Sequence, residues 1–229
     1  MKTSESLRSL LLASAILSAG RIHGGVFSDF STSREGWSVA TLLDGEYRTA
    51  SFTTQADLNL FGGNPGGHIS VGDPDNDTFW FQAPPAFLGD HSAESGSSLG
   101  FSLRVVADAV NYGFGDVVLA SPTLLLVADA GANPALGTWT DYSVSLSPSS
   151  WHVGSLDGPN PSQTQFDQVL SNLTIFRIRG EFFDGGNPET TSLDSVSFGA
   201  VPEPGSYAAV AALGLVGAAV WRRSRSPRP

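Results

Sequence analysis

The spacing nearest to a catalytic motif is Gly96-Ser-Ser-Leu-Gly100, a G-x-S-x-G pattern with Ser98 where a nucleophile would stand. That chemistry needs a strand, a strained turn and a helix that lifts the serine over a parallel sheet. Here Leu99 to Val105 alternates as a strand and no α/β rhythm surrounds it, so the pattern reads as coincidence. Asp73-Pro-Asp-Asn-Asp77 puts carboxylates at positions one, three and five of a calcium loop, but Thr78 replaces the required glycine and Pro84 the closing glutamate. It reads as a solvated turn before a strand, with loose calcium binding as the alternative. His23, His68, His91 and His152 are scattered, none at the i, i+4 spacing of a helical zinc site, and are expected on the surface or in turns. Glycoside hydrolysis needs two acids facing each other across a cleft, and no such pair stands out. The chain is read as non-catalytic. Trp37, Trp80, Trp139 and Trp151 would suit a sugar-stacking platform, although residues of this size more often fill a core.

Composition narrows the partners. The chain has 229 residues and no cysteine, which removes disulfides, thiolate metal sites and cysteine nucleophiles together. Between residues 25 and 200 five arginines face twenty carboxylates, a net charge of −15. Such a surface repels phosphate backbones, so nucleic acid is excluded as a partner.

The two ends differ from this body. Residues 1–24 carry Lys2 and Arg8, then an apolar run from Leu10 to Leu17, then small residues, which is the order of a secretory signal peptide. Residues 201–229 begin with Val201, Pro202, Glu203 and Pro204, whose two prolines stop any preceding strand. Tyr207 to Trp221 is unbroken apolar sequence, about 22 Å long as a helix against a hydrocarbon core of roughly 30 Å. A transmembrane helix of this length is held marginally. Arg222, Arg223 and Arg225 follow as a basic stop, with Arg228 beyond, and the positive-inside bias keeps them cytoplasmic with the body outside. This tail resembles the PEP-CTERM sorting signal of Gram-negative bacteria. The resemblance implies recognition by an exosortase, transient membrane association, and delivery to the cell surface or extracellular matrix.

Residues 25–200 alternate rather than recur at helical spacing: Thr78-Phe-Trp-Phe81, Leu99 to Val105, Tyr142 to Leu146 and Leu173 to Ile178 are bounded by turn formers. Only the stretch around Gln165 to Asn172 has a helical turn's pattern. The class is all-β, a β-sandwich. The ordered series Gly62 to Ile69, Phe79-Trp-Phe81, Ala83 to Asp90, Leu99 to Leu103, then Trp139, Tyr142 to Leu146, Trp151, Val169 to Leu173, Ile178 to Glu181 and Leu193 to Val196 resembles the laminin IV type A domain, also called laminin B. That resemblance implies a jelly-roll-like sandwich shaped like a carbohydrate-binding module and without known enzymatic activity.

In sandwiches of that kind the first and last strands lie side by side, and an early acid commonly shares a structural calcium with a late aspartate. The matching positions here are Asp29 and Asp194, with Phe27 and Leu193 in apolar company; the alternative is that both aspartates are ordinary solvated residues. The functional expectation is an exported, non-catalytic adhesion or matrix module. The alternatives are a module binding extracellular polysaccharide and, behind it, a secreted hydrolase.

Overall fold

The computed structural model describes residues 25–199 apart from 44–45, 75–76, 112 and 185–187. The stretch read as a signal peptide, the Val201–Pro204 motif, the apolar run expected as a helix and the arginines after it all lie outside the described residues, as does part of the Asp73–Asp77 loop. Among the described residues no helix is long and apolar enough to cross a membrane.

The described residues form thirteen strands in two antiparallel sheets. They are β1 (Val26–Ser28), β2 (Ser38–Leu42), β3 (Phe52–Thr54), β4 (Asp57–Gly63), β5 (Gly66–Gly72), β6 (Thr78–Gln82) and β7 (Ser98–Val106). After these come β8 (Val117–Ala120), β9 (Leu125–Ala128), β10 (Thr140–Ser145), β11 (His152–Val153), β12 (Ile175–Arg179) and β13 (Thr190–Phe198). The first sheet runs β10-β7-β13-β5-β4, with β1 added to the far half of β13; the second runs β11-β9-β8-β12-β6-β2-β3. Among the described residues one α-helix, α1 (Gln163–Leu170), interrupts the strands, beside three single-turn 3-10 helices. It starts on a capping box in which the Ser162 side chain accepts from the Gln165 backbone and the Gln165 side chain accepts from the Ser162 N–H. It buries Phe166, Val169 and Leu170. The helical turn expected at Gln165 is therefore real, two residues earlier than its pattern indicated.

The alternation seen in sequence becomes the core. Leu99, Phe101, Leu103 and Val105 of β7 point inward against Phe79 and Phe81 of β6 and Phe176 and Ile178 of β12. Trp37 sits edge-on to Phe87 and Phe176, with ring centroids 5.3 and 5.7 Å away. Trp37, Trp80 and Trp151 are core residues, at most 2% exposed. Trp139 alone of the four is only half-buried.

The second sheet is covered on its outer face too. Ala40, Leu42, Trp80, Val118 and Val127 form a smaller apolar cluster there, closed by Tyr47, Phe114 and Leu156 from loops. This explains the unbroken Phe79-Trp-Phe81: β6 is buried on both sides. Arg177, buried, clips one cover loop down. It donates from Nη1 to the Tyr47 carbonyl (2.7 Å) and from Nε and Nη2 to Gln82 Oε1 (3.1 and 2.9 Å). Burial pulls its pKa down to about 10, which leaves it charged at neutral pH.

Two expectations fail. Phe27 is not in apolar company but 45% exposed, because β1 lies at the sheet margin with that face outward. His68 is neither a surface nor a turn residue, since it lies in β5 at 4% exposure; His91 does lie in the connection between β6 and β7, but is only 5% exposed. His91 packs its ring against Phe198 with centroids 4.5 Å apart, and His68 lies beneath the β4–β5 turn.

Candidate functional site

Asp194 stands where β13 changes neighbours. Before it, Thr190–Leu193 pairs with both β5 and β7; after it, Val196–Phe198 pairs with β1. The register with β7 slips between Asp194 and Ser197, and Ser195 takes a φ of 51°. Such a bulge re-aims a side chain, and a non-glycine in the left-handed region marks a place held by its surroundings. Asp194 is fully buried. Its Oδ1 accepts from the Ser195 N–H (2.6 Å), its Oδ2 accepts from the Asn64 N–H, and the Ser195 hydroxyl donates to the Asn64 carbonyl (2.7 Å). The β4–β5 turn is thereby fastened to the last strand.

The charge on Asp194 is poorly compensated. Burial raises its pKa; the N–H donors of Asn64 and Ser195 oppose that, and the charges of Asp29 and Glu35 raise it again. Among the described residues no arginine or histidine pairs with it. Asp29 lies just past β1, exposed, its Oδ1 accepting from the Ser31 N–H (2.9 Å), and that bond is the main reason its pKa is lowered. Glu35 Oε1 accepts from the Phe30 N–H (2.9 Å), with Phe30 and Glu35 both at positive φ. The structure thus brings Asp29 and Asp194 into one electrostatic neighbourhood and adds Glu35, which sequence reasoning missed.

Glycines let oxygens gather between them. A Cβ on Gly67 would collide with the Phe30 carbonyl and sit 3.2 Å from the Asn59 carbonyl oxygen; one on Gly63 would sit 2.6 Å from Asp194 Oδ2. Oxygen donors and uncompensated carboxylates are the chemistry of a hard cation. Against this, the described residues contain no cluster of three or more His, Cys, Asp or Glu side chains close enough to hold a metal, so carbonyls would have to complete any shell.

Beside this notch the turn is strapped to the outer face of the first sheet. Trp139 donates from Nε1 to the Gly62 carbonyl (3.0 Å), and Asn64 donates from Nδ2 to Asp141 Oδ1 (2.8 Å). The Arg104 guanidinium lies over the Trp139 ring, 4.9 Å from its centroid. His68 meets Trp139 edge-on at 5.5 Å, and burial, with Arg104 next to it, lowers its pKa, so it is neutral at physiological pH.

At the opposite side, where β8 begins and β9 and β12 end on the second sheet, Arg179 and Asp116 form a buried ion pair. Arg179 is 1% exposed and donates from Nη2 and Nε to Asp116 Oδ1 at 2.6 and 3.0 Å, and from Nη2 to Asn133 Oδ1 at 2.9 Å. Asp116 Oδ2 accepts from the Ala130 N–H (2.7 Å). Burial raises the Asp116 pKa and the guanidinium opposes it. The signal for this pair was present in Ile-Phe-Arg-Ile-Arg, where two arginines occupy alternate positions of an apolar strand. Ser98 opens β7, exposed and paired with Ser145, as its strand context required.

Comparison with known proteins fits this architecture to a family. Residues 80–211, more than half of the chain, match Laminin B (Domain IV). The chain belongs to the laminin B family. The match covers β6 to β13, while β1 to β5 complete both sheets of the laminin B sandwich upstream of it. Residues 200–225 match the PEP-CTERM protein-sorting motif. Laminin subunit gamma-1 of Xenopus tropicalis is 28% identical over 192 residues, 77% of this chain and 11% of that protein. Laminin-like protein lam-2 of Caenorhabditis elegans is 28% identical over 121 residues, 50% of this chain and 7% of that one. The chain therefore spans about a tenth or less of these relatives. Among solved structures, the L4b domain of human laminin alpha-2 superposes with a TM-score of 0.61 at 14% identity, covering 79% of this chain and 99% of that domain. This likeness establishes the fold of the laminin B sandwich.

Proposed function

We propose that this protein is an exported, non-catalytic surface or matrix module of a Gram-negative bacterium. In this reading residues 1–24 are a signal peptide, 25–200 the laminin B sandwich and 201–229 a tail processed by an exosortase. The observation that carries it is the pairing, in one chain, of a laminin B domain with a PEP-CTERM sorting motif. A binding domain next to a sorting address has its use outside the cytoplasm, and the −15 body adds no affinity for nucleic acid or anionic lipid. The sandwich supplies adhesion, and Tyr207–Trp221 holds the chain in the membrane until the tail is processed.

The test is topological. Protease added to intact spheroplasts is expected to digest residues 25–200 while sparing a tag placed after Arg228 in any unprocessed pool. Digestion of that tag would reverse the orientation and sink the proposal.

A structural calcium belongs to the same reading. Asp29 and Asp194 would hold it, with Glu35 and the carbonyl oxygens near Gly67 as supporting donors, because a buried carboxylate that feels the charge of two others gains most from a divalent cation. When bound, the ion neutralises these charges and ties the first strand to the last. Binding to the folded state alone stabilises by RT ln(1 + [Ca]/Kd), about 2.7 kcal/mol at a hundredfold excess over Kd. Thermal unfolding is therefore expected to rise by several degrees in millimolar calcium over chelator for the parent, and not for Asp194→Ala. Superimposable curves for the parent in the two conditions would remove the ion.

A further inference from the structure

Two hollows adjoin at the loop end of the second sheet, away from the carboxylate notch. The first, about 370 Å³, is lined by Phe114, Leu156, Asp116, Asp129, Asn133 and Arg179. The second, about 310 Å³, is lined by Tyr47, Ser155 and Asp157 and shares Gly113, Phe114 and Leu156 with the first. Both fall in the size range of small-ligand sites, where apolar walls meet a few polar groups.

The chemistry of the lining selects a ligand class. Arg179 and Asp116 neutralise each other, so the floor offers no net positive charge, and the surrounding −15 body repels anions. Asp129 uses Oδ1 to accept from the Gly131 N–H (2.7 Å), leaving its second oxygen as an acceptor toward the first hollow. Asn133 spends its carbonyl oxygen on Arg179, which leaves its amide hydrogens as donors. Asp157 supplies a second exposed carboxylate at the other hollow. Acceptors and donors set beside a phenyl ring and a leucine match a molecule with hydroxyl groups on its rim and C–H groups on its faces. Two hollows of similar volume, side by side and sharing one wall, match a ligand made of repeating units.

We propose that these hollows bind two consecutive units of a neutral polysaccharide, with Asp129 serving one unit, Asp157 the other, and Phe114 and Leu156 forming the shared apolar wall. The inference rests on the reading of the sandwich as a binding module, and names its ligand class and site.

The full chain, purified in detergent, is run through native gels containing barley β-glucan, xylan or galactomannan. Retardation is expected in at least one. Asp129→Ala and Asp157→Ala, both at exposed positions, are each expected to weaken the apparent affinity about tenfold without changing the melting temperature. Ser98→Ala, on the first sheet, should migrate as the parent does. Absence of retardation in all three gels overturns the proposal. So does a loss in only one aspartate variant, retardation by polygalacturonate alone, or competition by choline, which would mark a cation site. Because binding is measured on purified protein, its failure leaves the sorting assignment standing.

Discussion

Asp116→Ala and Arg179→Met are each expected to destabilise the fold by about 3–5 kcal/mol, the cost of leaving one member of a buried ion pair alone. The two losses should differ in their pH dependence. Arg179→Met leaves a buried carboxylate whose pKa burial already raises and which has lost the guanidinium that opposed the shift. Its folded pKa then lies further above the unfolded value, so the folded state takes up a proton first, and stability is highest below the unfolded pKa and falls as pH rises through the folded one. The deficit of Arg179→Met relative to the parent should shrink between pH 7 and pH 4. Asp116→Ala leaves a guanidinium that cannot shed its proton, so no comparable relief is expected. The double variant Asp116→Leu/Arg179→Met should recover most of the stability, since paired replacement by apolar groups is often close to neutral. Urea midpoints at the two pH values measure all of this. Equal deficits at pH 4 and pH 7 for Arg179→Met would mean that the pair is not electrostatically coupled as its geometry requires.

Replacing Pro202, Glu203 and Pro204 together by alanine is expected to abolish processing and leave the protein membrane-held. The physical case lies in what the three residues do to a chain otherwise continuous from strand to apolar helix. Two prolines restrict φ and remove two backbone donors between the end of β13 and the start of the apolar run. Glu203 is the only charged residue between Asp194 and Arg222. With alanine throughout, both the backbone restraint and the charge are lost, and helical propensity is high from Val201 to Trp221. The expected blot shows one slower band in the membrane fraction and no surface label, while Glu203→Gln, which keeps the backbone restraint, separates the role of charge from that of shape. Surface delivery of the triple variant at parental mobility would refute the sorting role of these residues.

Much of the sandwich was legible because alternation is a direct consequence of one buried face. β6, β7, β10, β12 and β13 all fall where the sequence pattern put them, and β1 and β13 do pair, Val26 opposite Phe198. What could not be read was the cover on the second sheet. Trp80 is buried by Tyr47 and Phe114 arriving from distant loops, and no local pattern records which loop lies over which strand. The alternate arginines of β12 signalled a buried charge, but its partner was hidden for the same reason, since Asp116 lies 63 residues away from Arg179. Asp29 and Asp194 were picked out from the likeness to jelly-roll binding modules, and nothing in the sequence pointed to Glu35 beside them. Its place depends on positive φ angles at Phe30 and Glu35 that side-chain patterns do not encode. The outward turn of Phe27 has the opposite lesson: alternation gives two faces, and at a sheet margin the outer one need not be polar.

The position of β13 has a bearing on timing. It is the last strand to leave the ribosome, yet it lies between β7 and β5 and also receives β1. Without it the first sheet falls apart into a β4–β5 hairpin and a separate β7–β10 pair, so the sandwich has no route to closure until residues 190–198 are available. A chain whose central strand comes last must satisfy long-range contacts late, and it stays unfolded for longer than one built from local pairs. Under the export proposed above, this delay would keep the chain unfolded for longer during passage. The segment that completes the fold is made immediately before the Val201–Pro204 motif, so closure of the sandwich and synthesis of the sorting motif fall together in time.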